Sequence, residues 1–312
     1  MCAARRGDTA DWTEASARKR RRRRGAGMPP EPTSPTVHRR QLGRELRQLR
    51  QAAGKEIEDA AQTLGCHRSR VSRIENGRGG AVAKPQDVKD LLTLYGVDDA
   101  IKLARLLALL NDSQKPGWWE SLEFPPGLDA LVGLETDARK ESAFEPLLIP
   151  GPLQVPDYAR AVIHAARSQH PDEVEDLVQL RDGRLRLLTR SQNPLELWAV
   201  VDESVIRRPV GGARTLRDQL RHLMEIAALP NVTLQVVPFE KESHPGLGGS
   251  FALLEFEDDP AVVYVDSMAG NLYLEKARDV RRFVRAFDLL KACALDPDDS
   301  AALINRAAKE SK

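Results

Sequence analysis

Cysteine is nearly missing from this chain. Cys2, Cys66 and Cys293 are the only three in 312 residues, with no CxxC pair and no histidines at ligand spacing, so neither a disulfide framework nor a zinc site is supported. That usage fits a reducing, cytoplasmic compartment. Long apolar runs are missing too. Nothing approaches the roughly eighteen residues a membrane span needs, and the N-terminus lacks the apolar core of a secretory signal. Catalytic signatures are equally scarce: there is no GxSxG elbow, HExxH helix, Walker loop or paired-carboxylate motif. No cofactor is expected.

What is present is ordinary in bulk and uneven along the chain. An apolar content of 41% and a charged content of 30% are those of a globular protein, and 312 residues are enough for two domains. The net charge of +1 hides a segregation. Residues 1–27 carry nine Lys/Arg against three Asp/Glu, residues 37–96 twelve against seven, and residues 97–312 carry 26 against 35. A basic front joined to an acidic remainder argues for a polyanion partner at one end only.

The most informative stretch is Ala60 to Arg78, AAQTLGCHRSRVSRIENGR. Ala60, Ala61 and Leu64 line one face of a short helix that Gly65 ends. A second helix, about 67–75, then buries Val71 and Ile74 at i, i+3 spacing and turns Arg68, Ser69, Ser72 and Arg73 outward. This is a helix-turn-helix pattern. Arg forks match guanine edges and phosphates, and short Ser hydroxyls suit close contacts in a major groove. The residues expected to touch DNA are His67, Arg68, Ser69, Arg70, Ser72, Arg73, Asn76, Arg78 and, from the preceding helix, Arg44.

Around that stretch the chain falls into segments. Residues 1–36 hold the run Arg18–Arg24, RKRRRRR, then a Pro- and Gly-rich mixture with nothing to bury, and read as a disordered tail. The run is either a nonspecific phosphate-binding arm, a solvated tail, or an over-extended reading frame whose real start is Met28. Leu42, Leu46 and Leu49 mark a helix from Val37 to Ala53, with five arginines between Arg39 and Arg50 that contact phosphate or simply face water. Helices at Gln86–Tyr95, opened by Pro85, and Asp98–Leu110 complete five in residues 37–111. Beyond Asn111, Trp118 and Trp119 precede Pro125 and Pro126. Helices are predicted at Leu131–Phe144, from Asp157, at Pro171–Thr189, Thr215–Ala228 and Ala277–Ala294. Strands are predicted at Leu195–Val201, Thr233–Pro238, Ser250–Phe256, Ala261–Val265 and Asn271–Leu274. Residues 112–308 therefore read as an α+β domain with a mixed or antiparallel sheet, followed by a tail at 309–312.

LGRELRQLRQAAG, then AAQTLGCHRSRVSRIENGR, then KPQDVKDLLTLYGV resemble the all-α, five-helix DNA-binding domain of the lambda-repressor-like XRE regulators, with Ser72–Gly77 the most specific part. Glu56 and Ile57 stand where that family often carries a phosphate-contacting hydroxyl and Gln. Cys66 and His67 replace an apolar residue and a capping Ser or Asn. Further on, IPGPLQVPDYAR, DESVIRRPVGG, LPNVTLQVVPF, HPGLGGSF and VVYVD, in this order, resemble the C-terminal domain of actinobacterial WhiJ-like regulators. The resemblance covers nearly all of residues 37–308. It implies a sequence-specific transcriptional regulator that binds double-stranded DNA, with a small partner protein encoded nearby and a C-terminal domain that senses a ligand or docks that partner; a homodimer on a pseudo-palindromic operator is expected, since one small helix-turn-helix buries too little surface for strong specificity. A toxin-antitoxin-like component is the alternative it implies.

A hydrolase or transferase would have to draw on His244, in the Gly-rich HPGLGGS, together with Asp202 and Glu203 after a strand. Gly246, Gly248 and Gly249 match a dinucleotide fingerprint only loosely and fit a hairpin loop as well. No enzyme is expected. Trp118 and Trp119 read as interdomain packing or a ligand wall. Arg278, Arg281, Arg282 and Arg285 form a basic stripe at helical spacing, paired either with the domain's own acidic surplus or with an acidic partner.

Overall fold

The computed structural model describes residues 35–77, 83–115, 117–122, 124, 127–166, 171–257, 259–267 and 270–311. The basic run Arg18–Arg24, Arg78, Pro125 and Pro126 lie outside the described residues. Among those described, no helix is long and apolar enough to cross a membrane.

The N-terminal region is all helical: α1 (Thr36–Ala52), α2 (Ile57–Thr63), α3 (Arg68–Glu75), α4 (Pro85–Leu94) and α5 (Ala100–Ser113). Leu42 and Leu46 of α1, Ala60 and Ala61 of α2, Val71 and Ile74 of α3, Val88 and Leu91 of α4, and Leu106 and Leu110 of α5 meet in one core. Each helix contributes an apolar stripe too narrow to bury alone, so the five are stable only together. Gly65, at φ +57°, turns α2 into α3 in a conformation L side chains rarely adopt. Gly43 serves closeness instead: a Cβ there would lie 2.3 Å from the Ile74 carbonyl oxygen, so α1 crosses directly over the end of α3.

The C-terminal part is an α+β domain on a six-stranded mixed sheet. Its helices are α6 (Leu128–Asp137), α7 (Pro156–Ala166), α8 (Pro171–Thr189), α9 (Glu203–Arg207), α10 (Ala213–Ala227), α11 (Ala277–Cys293) and α12 (Pro297–Glu310). The strands are β1 (Lys140–Glu145), β2 (Glu196–Asp202), β3 (Val232–Val237), β4 (Phe251–Glu255), β5 (Val262–Val265) and β6 (Leu272–Leu274), in the order β3-β2-β1-β4-β5-β6. β1, β2 and β3 are parallel, joined by helical crossovers, and β4, β5 and β6 continue as an antiparallel meander. One face packs on α10, α12 and the ends of α6 and α8 through Ala199, Val201, Leu220 and Ile304. The other packs on α11 through Phe144, Val200, Phe251 and Phe287.

Two departures from expectation have clear causes. The helix expected over Leu131–Phe144 ends at Asp137, and KESAFE forms β1 at the centre of the sheet. Covered on both faces, β1 shows no apolar/polar alternation, and its Lys, Ala and Glu read as helix formers. The tail expected at 309–312 is shortened, because α12 runs to Glu310, opened by Asp296, whose carboxylate accepts from the Asp299 amide at 2.8 Å. Glu310 then pairs with Arg207 at 2.6 Å.

Trp118 and Trp119 are both buried, edge to face at 5.8 Å, among Val132, Ile163, Val174 and Leu180. Trp118 Nε1 donates to Thr136 Oγ1 at 3.0 Å. They belong to the core of the C-terminal domain, and Trp119 also borders Gly133, where the Thr36 side chain of α1 comes into contact. The seam between the two parts is otherwise polar. Arg44 pairs with Asp259, Arg40 with Glu275 at 3.5 Å, and the Arg40 guanidinium stacks over Phe256 at 5.8 Å.

Candidate nucleic-acid interface

The second helix of the helix-turn-helix, α3, starts where its residues dictate. His67 is its N-cap in extended conformation, and its Nδ1 accepts from the Ser69 amide at 3.3 Å, taking the place of the usual hydroxyl or carboxamide. Val71 and Ile74 anchor the inner face at 1% and 4% exposure. His67, Arg68, Ser69, Arg73 and Asn76 are exposed on the outer side, and Ser72 is half-buried. Arg68 reaches Glu58 of α2 at 3.3 Å, with both side chains more than half exposed, a pair worth little in water and displaceable by a phosphate or base. Arg73 Nε donates to the Ser69 carbonyl at 3.3 Å, and Asn76 Nδ2 to that of Ser72 at 2.7 Å.

Two residues expected at the interface are engaged elsewhere. Arg70 Nη2 donates to Asp87 of α4 at 2.6 Å in a half-buried pair, and that hydrogen bond holds its guanidinium above its ordinary value. Its geometry is that of a strut between α3 and α4. Arg44 pairs with Asp259 of the C-terminal domain. The helical face that carries it turned to the acidic domain, a choice that spacing within α1 alone does not reveal.

Sequence reasoning also missed what holds α3 in place. Arg50 of α1, counted only among the arginines of its face, is buried and donates to both oxygens of Glu75 at 2.7 and 2.9 Å. Its Nη1 also reaches the Lys55 carbonyl at 2.9 Å. The only available signal was a Glu inside an otherwise basic recognition segment.

The residues weighed for catalysis do meet. His244 Nε2 lies 3.9 Å from Asp202 Oδ2, with the ring 3% exposed and edge-on to Phe144. Both are occupied as caps. His244 Nδ1 accepts from the Gly246 amide at 3.2 Å, Asp202 from the Ser204 amide at 2.9 Å, and the Ser204 hydroxyl donates to the Pro146 carbonyl. Glu203 accepts from the Phe239 amide at 3.1 Å. These bonds lock the loops at the carboxyl ends of the parallel strands. No group of three His, Cys, Asp or Glu among the described residues is placed to hold a metal ion.

A cleft of about 940 Å³ opens at the seam, lined by His38, Asp112 and Lys115 on one side and by Arg139, Asn193 and Glu257 among others on the other. His38 Nδ1 is buried there without a hydrogen-bond partner. Asn193, at φ +47°, is the non-glycine residue with positive φ among those described.

Comparison with known proteins accords with this arrangement. Residues 41–106 match a helix-turn-helix domain family, and residues 128–306 match a domain of unknown function, DUF5753. No curated protein and no solved structure matches the chain significantly. With more than half of its length in that second match, and a helix-turn-helix ahead of it, the chain belongs to the DUF5753 family.

Proposed function

We propose that this protein is a sequence-specific transcriptional regulator of the XRE, WhiJ-like kind. In this reading α3 lies in the major groove, and the C-terminal domain controls it through a ligand or a small partner protein. The observation that carries the reading is the division of α3: Val71 and Ile74 are buried and Glu75 is tied to Arg50 of α1, while Arg68 and Ser69 in its first turn and Arg73 in its last stand exposed. N-terminal residues of a recognition helix are those that reach base edges. Arg68 and Ser69 read bases, His67, Arg73 and Asn76 contact the backbone, and Arg70 acts through α4. A single helix-turn-helix buries too little surface for strong specificity, so two copies bind a pseudo-palindromic site.

Control by a small molecule is favoured by the seam cleft, whose volume suits a metabolite and whose walls come from both parts of the chain. A ligand that binds there with different affinity in two arrangements of the seam shifts the population competent for DNA. The test is selection of genomic fragments on the full-length protein. Enrichment of a two-fold symmetric motif, lost in Arg68→Ala, supports the reading; recovery of fragments no different from random DNA sinks it.

A further inference from the structure

We propose that the exposed arginine stripe of α11, in the acidic C-terminal domain, is a second DNA-backbone contact that binds phosphates flanking the groove occupied by α3. This rests on the DNA-binding reading above and extends it to a surface outside the helix-turn-helix. The rotation of α11 is fixed by its other face. Phe287 and Leu290 are buried, and Phe283 and Phe287 meet Phe251 of β4 at ring distances of 5.0 and 6.3 Å. Arg278, Arg281, Arg282 and Arg285 are thereby turned to solvent.

Intramolecular pairing does not account for the stripe. Arg278 has its neighbour Asp279 at 3.7 Å while remaining 89% exposed. Among the described residues, Arg281, Arg282 and Arg285 have no carboxylate within ion-pair distance and no hydrogen-bond partner. A part of the chain with 26 basic against 35 acidic residues thus keeps three adjacent cations uncompensated on one helix face.

Position selects the partner. Gly77, just past α3, lies so close to α1 that a Cβ on it would be 2.8 Å from the Arg40 Cα. The Arg40 guanidinium is 3.5 Å from Glu275, and Glu275 immediately precedes Lys276, the N-cap of α11. One side chain therefore separates the end of the recognition helix from the start of the stripe. At about 1.5 Å per residue the stripe is roughly 10 Å long, and duplex DNA offers one phosphate per about 3.4 Å along each strand. Two or three phosphates fall within reach, without base reading. An acidic protein would find the same charges, and Leu289, 48% exposed, continues the same face, but the helix-turn-helix lies alongside, joined through Arg40.

The experiment compares the full-length protein with Arg281→Gln/Arg282→Gln/Arg285→Gln on a selected site carrying long flanks, across salt concentrations. A control, Arg214→Gln/Arg221→Gln, removes charge from the exposed face of α10. The expected result is a fall of about 2 to 3 in the slope of log K against log salt for the α11 variant, no change for the α10 control, and the same reduced slope for wild-type protein on a site trimmed of its flanks. Wild-type binding with an unchanged slope in the α11 variant overturns the inference and leaves the DNA-binding reading intact. Equal slope losses in both variants also overturn it, since net charge alone then explains the effect. If the slope is unchanged and binding to polyglutamate is lost instead, the stripe belongs to an acidic protein partner and the inference fails. Absence of wild-type binding to any DNA removes the underlying reading first.

Discussion

Arg50 and Glu75 form a buried, two-pronged ion pair, 2.7 and 2.9 Å, that ties the first helix to the last turn of α3. Twenty-five positions apart, they set how α3 is presented. Glu75→Ala leaves a buried guanidinium unpaired and is expected to cost about 3 to 5 kcal/mol of stability, whereas Arg50→Met/Glu75→Leu recovers most of that loss. Urea unfolding of the full chain checks both. A single variant within about 1 kcal/mol of wild type shows that the pair does not hold the helix.

Arg68 and Arg70, two residues apart on the same helix, are expected to fail in different ways. Arg68→Ala removes an exposed fork and lowers affinity for the selected site by about 1 to 3 kcal/mol while relaxing choice at one base position. Arg70→Ala breaks the strut to Asp87, so thermal stability drops and specific and random DNA weaken together. Binding to a panel of single-base variants separates the two outcomes. A base-specific loss with Arg70→Ala, at unchanged stability, reverses the roles.

Much of this arrangement was legible beforehand, for reasons that differ by element. The helices of the N-terminal region announced themselves because each has an apolar stripe on one side and a capping or glycine signal at its end, as with Gly65 and Pro85. The paired strands β4 and β5 were readable from β-branched and aromatic runs between turns. β1 was not, since its neighbours cover both faces and even Glu141 is buried. Exposure of Arg68, Ser69 and Arg73 followed from the helical period. The fates of Arg44 and Arg70 did not, because Asp259 and Asp87 lie 215 and 17 positions away and periodicity carries no tertiary information.

The seam offers a direct test of communication between the two parts. Arg44 and Asp259 pair across it, with Asp259 nearly buried at 6% side-chain exposure. Asp259→Arg opposes like charges and is expected to loosen the seam, seen as faster proteolysis between residues 111 and 128 and as altered affinity for DNA. Arg44→Asp/Asp259→Arg restores the pair with its sign reversed. A double variant no closer to wild type than the single one shows that the two charges are not coupled.

Glu141 ties stability to pH. It lies at 4% exposure on β1, with Oε2 lacking a hydrogen-bond partner. The nearby Arg184 is committed to both oxygens of Glu135 at 2.6 Å. Burial, reinforced by the Glu135 charge and only partly opposed by Arg184, pushes the Glu141 carboxyl up to about 8 from an ordinary value of 4.5. Between those two values the folded chain holds a proton that the unfolded chain has released. Stability contributed by the protonated form is therefore fully present below pH 4.5 and is lost as pH rises through about 8, with a slope of about 1.4 kcal/mol per unit inside the window. Glu145, raised to about 8 by burial as well, acts in the same direction, so the diagnostic quantity is the difference between wild type and Glu141→Gln. That variant cannot ionise, and its unfolding free energy is expected to fall less steeply from pH 5 to pH 8 and to exceed the wild-type value at pH 8. Parallel curves for the two proteins show that Glu141 keeps an ordinary carboxyl in the fold.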